Sequence, residues 1–220
     1  PGDTSYHGVV TPSRAIVFVI DVSGSMENLV VEKERFEGGG YPSFLRIDIV
    51  KTELARTLET LEPWVEFNIL AFATDVQPWK KSLVKANVLN KSSAVDWVRR
   101  LAAIGGASHE DLATAGLVGA ANLEAGKTNT YRALMDALGA PRPGEEDEDY
   151  AVAVDTIFFL SDGRPSHGEF VEPKDILREV RRANELRRVV IHTIAIGDFQ
   201  KDFMRVLAAE NGGVFVDLGR

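Results

Sequence analysis

The sequence has no cysteine among its 220 residues, which excludes disulfide bonds, thiolate metal sites and cysteine nucleophiles. No apolar run approaches the roughly 20 residues of a membrane-spanning helix, so direct membrane insertion is not expected. The first five residues lack the basic and apolar regions of a secretory signal peptide. Because an initiator methionine is also missing, we expect a piece of a longer protein or a processed chain.

The sequence also lacks an excess of basic residues. It has 25 Lys and Arg against 33 Asp and Glu, which gives a formal net charge of −8. Binding to nucleic acid is therefore disfavoured, because no basic stripe is available to displace counterions from phosphates. A chain of this length, 45% hydrophobic, can bury a core without structural metal. Any metal that it binds is therefore expected to serve function.

Short apolar runs alternate with segments of helical periodicity along most of the sequence. Residues 15–20 form a continuous apolar run rich in β-branched residues, which is typical of a strand covered on both faces. Strands are predicted at 15–20, 65–72, 79–84, 155–160, 189–196 and 214–216, and helices at 47–61, 95–104, 130–138, 174–187 and 202–210. The alternation predicts an α/β fold, a doubly wound and mostly parallel open sheet with helices on both faces. Lys80 and Lys81 place the run 79–84 at an edge of the sheet, where an antiparallel strand is an option.

Two segments do not follow this alternation. Residues 27–45 are polar and glycine-rich and are interpreted as a surface loop. Residues 105–126 indicate a short helix only weakly, because several glycines interrupt it. With no repeat and no linker, the chain is predicted to be one domain over 1–220, with 1–14 as an N-terminal extension and a monomeric state in isolation.

Three loops at predicted strand or helix ends carry oxygen-bearing side chains. Asp21, Ser23 and Ser25 follow the first strand at alternate positions, and Gly24 allows the backbone to fold tightly. Thr128 precedes a helix, and Asp162 follows the strand 155–160. Ligands of doubly wound sheets bind at the carboxyl ends of strands, so these loops are expected to converge. One carboxylate and two hydroxyls in one turn suit Mg²⁺, which prefers oxygen ligands and keeps several waters.

These motifs resemble the metal-ion-dependent adhesion site of von Willebrand factor A domains. Residues 18–26, Phe-Val-Ile-Asp-Val-Ser-Gly-Ser-Met, are similar to its first segment, and 127–131 and 160–163 are similar to its second and third. Three segments in this order are far more specific than a lone Asp-x-Ser-x-Ser. The resemblance covers roughly residue 14 to the end.

The resemblance implies roles for individual residues and for a partner. Ser23 and Ser25 would ligate the ion directly, Thr128 would do so in one conformation, and Asp21 and Asp162 would act directly or through water. Mg²⁺ is the expected ion, with Mn²⁺ or Ca²⁺ as alternatives. The family leaves one coordination position open for an Asp or Glu side chain of a protein partner.

Several assignments remain open at this point. Thr130 is the alternative hydroxyl ligand, but Thr128 is favoured by the family's spacing and because Thr130 could instead cap the helix. His167 and Glu169 lie near the predicted site and could contact a partner, and Asp75 could support the metal loops through water or be a plain turn residue. His192 lies in an apolar strand and is interpreted as a core histidine.

The leading functional hypothesis is a metal-dependent protein-binding module without enzymatic activity. The first alternative is a Mg²⁺-dependent hydrolase on a doubly wound sheet, but such chemistry usually needs a second carboxylate near the first. Positions 23 and 25 are both serine, and no Walker loop or nucleophile elbow follows a strand. The second alternative is a scaffold domain within a larger assembly.

Overall fold

The computed structural model describes residues 4–6, 8–105, 124–141, 153–162, 164–197 and 201–218. These residues contain nine β-strands and five α-helices. The strands are β1 Thr4–Tyr6, β2 Val9–Thr11, β3 Ala15–Asp21, β4 Glu66–Phe72, β5 Val76–Pro78, β6 Val84–Lys85, β7 Thr156–Ser161, β8 Val190–Ala195 and β9 Phe215–Asp217. The helices are α1 Arg46–Thr60, α2 Val88–Arg100, α3 Thr130–Leu138, α4 Pro173–Asn184 and α5 Lys201–Glu210.

The main sheet has the order β5-β4-β3-β7-β8-β9, with β6 also paired to β4. The four pairings between β4, β3, β7, β8 and β9 are all parallel, whereas β5 and β6 run antiparallel to β4. The chain goes from β3 to β4 on one side and returns to β7 on the other, so strand order reverses at β3. The predicted doubly wound, mostly parallel sheet with an antiparallel edge is therefore confirmed.

The two faces of β3 support two separate cores. Ile16, Phe18 and Ile20 pack in a cluster with residues of α1 and α2. Val17 and Val19 point to the opposite face, into a cluster with residues of α3, α4 and α5. Because both faces are covered, the strand is apolar throughout instead of alternating with polar residues. This explains the continuous apolar run in the sequence.

The prediction of a strand over 79–84 is wrong in position. The antiparallel strands β5 and β6 flank this segment, and both lie against β4. The Asn68 side chain donates to the carbonyl of Lys80 at 2.8 Å and accepts from its N–H at 3.1 Å. Trp79 stacks on Phe67 with ring centroids 5.3 Å apart. Side-chain contacts with β4 thus replace a continuous backbone ladder.

The interpretation of 27–45 as a surface loop is only partly right. A 3₁₀ helix, Lys33–Phe36, lies within it, and Val30 and Phe36 are buried in the core. Leu29 also forms an isolated antiparallel bridge with Leu45. The segment therefore packs onto the domain and brings the chain to the start of α1.

The predicted N-terminal extension forms the antiparallel pair β1–β2. Tyr6 is fully buried and packs edge-on against Phe18 and Phe158, with centroids 5.4 and 5.5 Å apart. At least this residue of the extension therefore belongs to the hydrophobic core.

The remaining differences concern helix ends and residues outside the described ranges. The helix predicted over 95–104 is α2, which starts earlier, where the Asn87 side chain accepts from the N–H of Asn90 at 2.9 Å. Most of the weak helix prediction over 105–126 lies outside the described residues. Among the helices of the described ranges, none combines the length and apolar character that a membrane crossing demands.

Candidate metal centre

Asp21 and Asp162 lie side by side at the carboxyl edge of the sheet. Asp21 is the last residue of β3, and Asp162 immediately follows β7. The two strands are paired in parallel with Ile20 opposite Leu160, so both chains leave the sheet at the same level. Asp21 is fully buried and Asp162 is 1% exposed. The position is the point of strand-order reversal where doubly wound folds bind ligands.

A chain of hydrogen bonds joins the first and third loops. The Ser23 N–H donates to Asp21 Oδ1 at 2.8 Å, and the hydroxyls of Ser23 and Ser25 lie 3.2 Å apart. The Ser25 hydroxyl then donates to Asp162 Oδ1 at 2.7 Å. The Ser161 hydroxyl donates to the other oxygen of Asp21 at 2.5 Å. Four of the five predicted ligands, Asp21, Ser23, Ser25 and Asp162, therefore form one connected cluster.

The cluster is electrostatically unfavourable to Asp21 as an anion. Burial of the carboxyl, and then the charge of Asp162, raise the pKa of Asp21 from its ordinary 3.8 to about 7. Hydrogen bonds from Ser161 and Ser23 act in the opposite direction but do not outweigh burial. A nearby cation would favour the ionised form of this carboxyl.

The second loop is attached to the first by main-chain contacts. The Gly24 N–H donates to the carbonyl of Gly126 at 3.0 Å. Thr128 is 5% exposed and is held through its main chain: its N–H donates to the Ser166 hydroxyl at 3.0 Å, and its carbonyl accepts from the N–H groups of Ser166 and His167. Thr128 thus lies between the first loop and the segment after Asp162. Ser166 was not identified from the sequence, where an exposed serine carries no distinguishing signal.

Asn129, not Thr130, caps α3. Its side-chain oxygen accepts from the N–H of Arg132 at 3.1 Å, while Thr130 is the first residue of the helix. The suggestion that Thr130 could cap the helix is therefore wrong. Asn129 also donates from its side-chain amide to the carbonyl of Thr74 at 3.1 Å. The same side chain thus starts the helix and ties it to the turn after β4.

Thr74 organises this turn more than its neighbour Asp75 does. The Thr74 hydroxyl accepts from the Lys127 N–H at 3.2 Å and donates to the carbonyl of Glu124. Asp75 is exposed and contributes its backbone carbonyl, which accepts from the N–H of Ala73. Of the two roles considered for Asp75, the plain turn residue agrees with these contacts.

Arg46 belongs to the cluster and was missed by the sequence analysis. It is the first residue of α1, is 7% exposed, and donates from Nη1 to Asp162 Oδ2 at 2.5 Å. A signal was present: Arg46 lies four residues before Val50 and so falls on the buried stripe of the helix. A charged residue at such a position needs a buried partner.

The two histidines within the described ranges, His192 and His167, have different surroundings. His192 is 5% exposed in β8, stacks on Phe158 at 4.9 Å, and accepts from the Val214 N–H through Nδ1 at 3.0 Å. Burial lowers the pKa of His192 below its ordinary 6.5. His192 is thus a core histidine, as interpreted from the sequence. His167 is near the site through its backbone contact with Thr128, and Glu169 is exposed two residues later.

The donor set fits a hard divalent cation better than a soft one. It consists of two carboxylates and neutral hydroxyls, which are the oxygen ligands that Mg²⁺ and Ca²⁺ take. No group of three His, Cys, Asp or Glu side chains comes together in the ranges that the structure covers. A metal at this edge would therefore depend on the hydroxyl oxygens of Ser23, Ser25 and Thr128.

Comparisons with known proteins agree with this architecture. The family model for the von Willebrand factor type A domain matches residues 15–218. The chain is 30% identical over 203 residues to inter-alpha-trypsin inhibitor heavy chain H1 of Mesocricetus auratus, covering 91% of this chain and 18% of that protein. It is 27% identical over 209 residues to heavy chain H4 of Homo sapiens, covering 94% and 18%. The chain thus spans less than a fifth of the length of these relatives.

Solved structures show the same fold at low sequence identity. A von Willebrand factor type A protein from Catenulispora acidiphila superposes with a TM-score of 0.61 at 18% identity, covering 95% of this chain and 39% of that one. Proximal thread matrix protein 1 from the mussel byssus, whose MIDAS motif is occupied by zinc, superposes with a TM-score of 0.51 at 16% identity, covering 92% and 41%. With the family model matching most of its length, the chain belongs to the von Willebrand factor type A family.

Proposed function

We propose that this chain is a divalent-metal-dependent protein-binding domain. In this proposal Asp21, Ser23, Ser25, Thr128 and Asp162 hold one Mg²⁺ ion, which Mn²⁺ or Ca²⁺ can replace. An Asp or Glu side chain of a partner protein completes the coordination. The serines ligate the ion directly, and the two carboxylates act directly or through water.

The observation that carries the proposal is the hydrogen bond from Ser25 to Asp162 across 137 residues of sequence. It brings oxygens of two distant loops within 2.7 Å of each other at a partly buried position. The raised pKa of Asp21 adds to this support, because a buried carboxyl beside a second carboxylate gains from a bound cation. The proposal also agrees with the type A family, whose domains mediate interactions between proteins, and with the zinc in the mussel protein.

The bound ion would supply an electrophilic centre for a partner carboxylate. The charges of the side chains that hold the ion then determine how strongly it attracts that carboxylate. Only two carboxylates serve the predicted site, and the hydroxyls contribute no formal charge, so the ligands do not overneutralise a divalent ion. An incoming carboxylate is therefore attracted to the loaded site.

Metal binding is tested by titrating the metal-free chain with Mn²⁺, followed by electron paramagnetic resonance, and with Mg²⁺ by calorimetry. Ser23→Ala should weaken binding at least tenfold, because a ligand oxygen is lost. Ser92→Ala is the matched control, since Ser92 is an exposed serine on α2. Absence of binding by the unmodified chain, or equal affinity of the Ser23→Ala variant, contradicts the proposal.

Partner recognition is tested by capture experiments with and without EDTA. A specific partner should be retained with Mg²⁺ and released by EDTA, and replacing one Asp or Glu of that partner by Asn or Gln should abolish retention. Retention that persists in EDTA favours the scaffold hypothesis instead. It would leave the domain as an assembly module whose metal site is dispensable.

Hydrolase activity is the second candidate and has less support. Both oxygens of Asp21 already accept hydrogen bonds, from the Ser23 N–H and the Ser161 hydroxyl, so this carboxylate is poorly placed as a nucleophile. The curated relatives are inhibitor heavy chains and do not point to an enzyme. Turnover of generic phosphatase or nuclease substrates with Mg²⁺, lost in Asp21→Asn, would favour the hydrolase.

A further inference from the structure

Arg46 shares Asp162 with the predicted metal site. Asp162 Oδ1 accepts from the Ser25 hydroxyl at 2.7 Å, and Oδ2 accepts from Arg46 Nη1 at 2.5 Å. The main chain of Arg46 is fixed as well, because its N–H donates to the carbonyl of Asn28 at 3.0 Å. One carboxylate thus faces a guanidinium on one oxygen and the serine loop on the other.

The guanidinium of Arg46 fits closely against Gly197, and its hydrogen-bonding capacity is not fully used. Gly197 follows β8, and a Cβ at this position would lie 3.1 Å from Arg46 Nη1 and 3.2 Å from Cζ. Any larger residue at 197 would therefore press on the guanidinium. Within the described ranges the buried Nε of Arg46 has no hydrogen-bond partner. A buried cation with an unsatisfied N–H is a poor device for stability alone, since an apolar side chain often stabilises such a position more.

The charge of Arg46 alters the balance of the site. Asp21 and Asp162 bring two negative charges, and the buried Arg46 returns one positive charge. With both carboxylates ionised, the group carries one net negative charge without metal and one net positive charge with a divalent ion. Without Arg46, the loaded group would be neutral. Low exposure makes these charges interact more strongly than surface charges do.

We infer that Arg46 is a fixed internal cation that weakens binding of the divalent ion and strengthens binding of the partner carboxylate to the loaded site. This inference rests on the proposed metal-dependent function and goes beyond it. Repulsion between the guanidinium and the ion opposes loading. The same positive charge attracts the carboxylate that arrives afterwards. Arg46 is a positioning residue, because it acts on both through Asp162 and through its charge.

The first test compares Mn²⁺ affinities of the unmodified chain, Arg46→Gln, Arg46→Lys and Arg99→Gln. Arg46→Gln should bind Mn²⁺ roughly tenfold more tightly or better, and Arg46→Lys should stay within about threefold of the unmodified chain, because it keeps the charge. Arg99→Gln removes the same charge from an exposed position of α2 and should change little. Equal or weaker Mn²⁺ binding by Arg46→Gln overturns the inference.

The second test measures acetate binding to the Mn²⁺-loaded proteins by the loss of ion-bound water in water-proton relaxation. Arg46→Gln should bind acetate several-fold more weakly, opposite in sign to its change in metal affinity. A purely structural role would weaken both affinities together, and that result contradicts the inference. If Arg46→Gln is partly unfolded without metal, saturating Mn²⁺ must raise its Tm more than that of the unmodified chain. A smaller rise overturns the inference.

Failure of the inference is distinguishable from failure of the proposed function. If the unmodified chain binds Mn²⁺ and Arg46→Gln binds it equally, only the inference falls. If only Arg46→Gln binds Mn²⁺, Arg46 outcompetes the ion, which supports the inference and contradicts metal-dependent function in the unmodified chain. If neither binds, both are wrong.

Discussion

Asp21 and His192 are both buried titratable residues on strands of the same sheet, but their surroundings differ. Asp21 lies at the carboxyl edge, where both of its oxygens accept hydrogen bonds and a second carboxylate is nearby. His192 lies within β8, stacked on Phe158, and its Nε2 has no partner in the part of the chain that the structure describes. Burial disfavours the charged form of both residues. For Asp21 a cation could relieve this cost, whereas for His192 burial is the cause that lowers the pKa within the described residues.

The comparison distinguishes two kinds of buried polar residue in the same sheet. Hydrogen bonds connect the side chains of the site, which lie where strands end and loops begin: Asp21, Ser23, Ser25 and Asp162. Such a position is typical of a ligand site. His192 stacks on the ring of Phe158 and accepts one backbone hydrogen bond from Val214. A connected set of oxygens is what the proposed ion would need, whereas a single buried polar residue such as His192 is typical of packing.

The largest expected effect is on metal affinity. Asp21→Asn should weaken Mn²⁺ binding by roughly 100-fold or more, because it removes one of the two carboxylates of the predicted site. His192→Asn should leave Mn²⁺ affinity unchanged. Electron paramagnetic resonance of free Mn²⁺ measures both. A comparable loss in the two variants would contradict the assignment of Asp21 to the metal site and of His192 to the core.

The next effect is on the stability of the metal-free chain between pH 4 and 7. The pKa of Asp21 is raised in the folded state, so the folded chain binds more protons than the unfolded chain in this range. The free energy of unfolding should therefore fall as pH rises, by roughly 2 to 4 kcal/mol, and level off above pH 7. Urea unfolding in metal-depleted buffer measures it. Asp21→Asn should abolish this slope, and a slope that persists in the variant contradicts the assignment.

Titration of His192 should change the free energy of unfolding with pH by less than titration of Asp21 does, and in the opposite direction. Its folded-state pKa lies below its ordinary 6.5, so the unfolded chain binds the extra proton more readily. Stability from neutral His192 is fully present above pH 6.5 and is lost as pH falls below it. Comparing the pH profiles of Asp21→Asn and the double variant Asp21→Asn/His192→Asn isolates it. Identical profiles would show that His192 does not titrate in this range.

The smallest expected effect is the loss of stability on removing the side chain of Asn129, which lies next to Thr128 and does not titrate. Asn129→Ala should lower the free energy of unfolding by about 1 kcal/mol, because it removes the cap of α3. Thr130→Ser, which keeps the hydroxyl at the first helical position, should cost less. Thermal unfolding at pH 7 measures both. A larger loss of stability in Thr130→Ser than in Asn129→Ala would indicate that Thr130, and not Asn129, stabilises the start of α3.

Prediction from the sequence was strongest where burial on both faces imposed a simple pattern. The apolar runs of β3, β4 and β7 were located within one or two residues, since a strand covered on both faces has few polar positions. It was weakest where side chains replaced backbone pairing, as at Trp79 and Asn68. Such contacts depend on which segments lie next to each other, which periodicity does not encode.

The sequence by itself determined the doubly wound fold and the family, and it identified Asp21, Ser23, Ser25, Thr128 and Asp162 as candidate ligands. Order and spacing of motifs were enough, because the carboxyl ends of parallel strands must share one edge. Only the tertiary structure decided that Asn129 caps α3, that Ser166 holds Thr128, and that Arg46 reaches Asp162. The contacts of Ser166 and Arg46 join segments 38 and 116 residues apart, and folding of the whole sheet is what places their atoms within hydrogen-bonding distance.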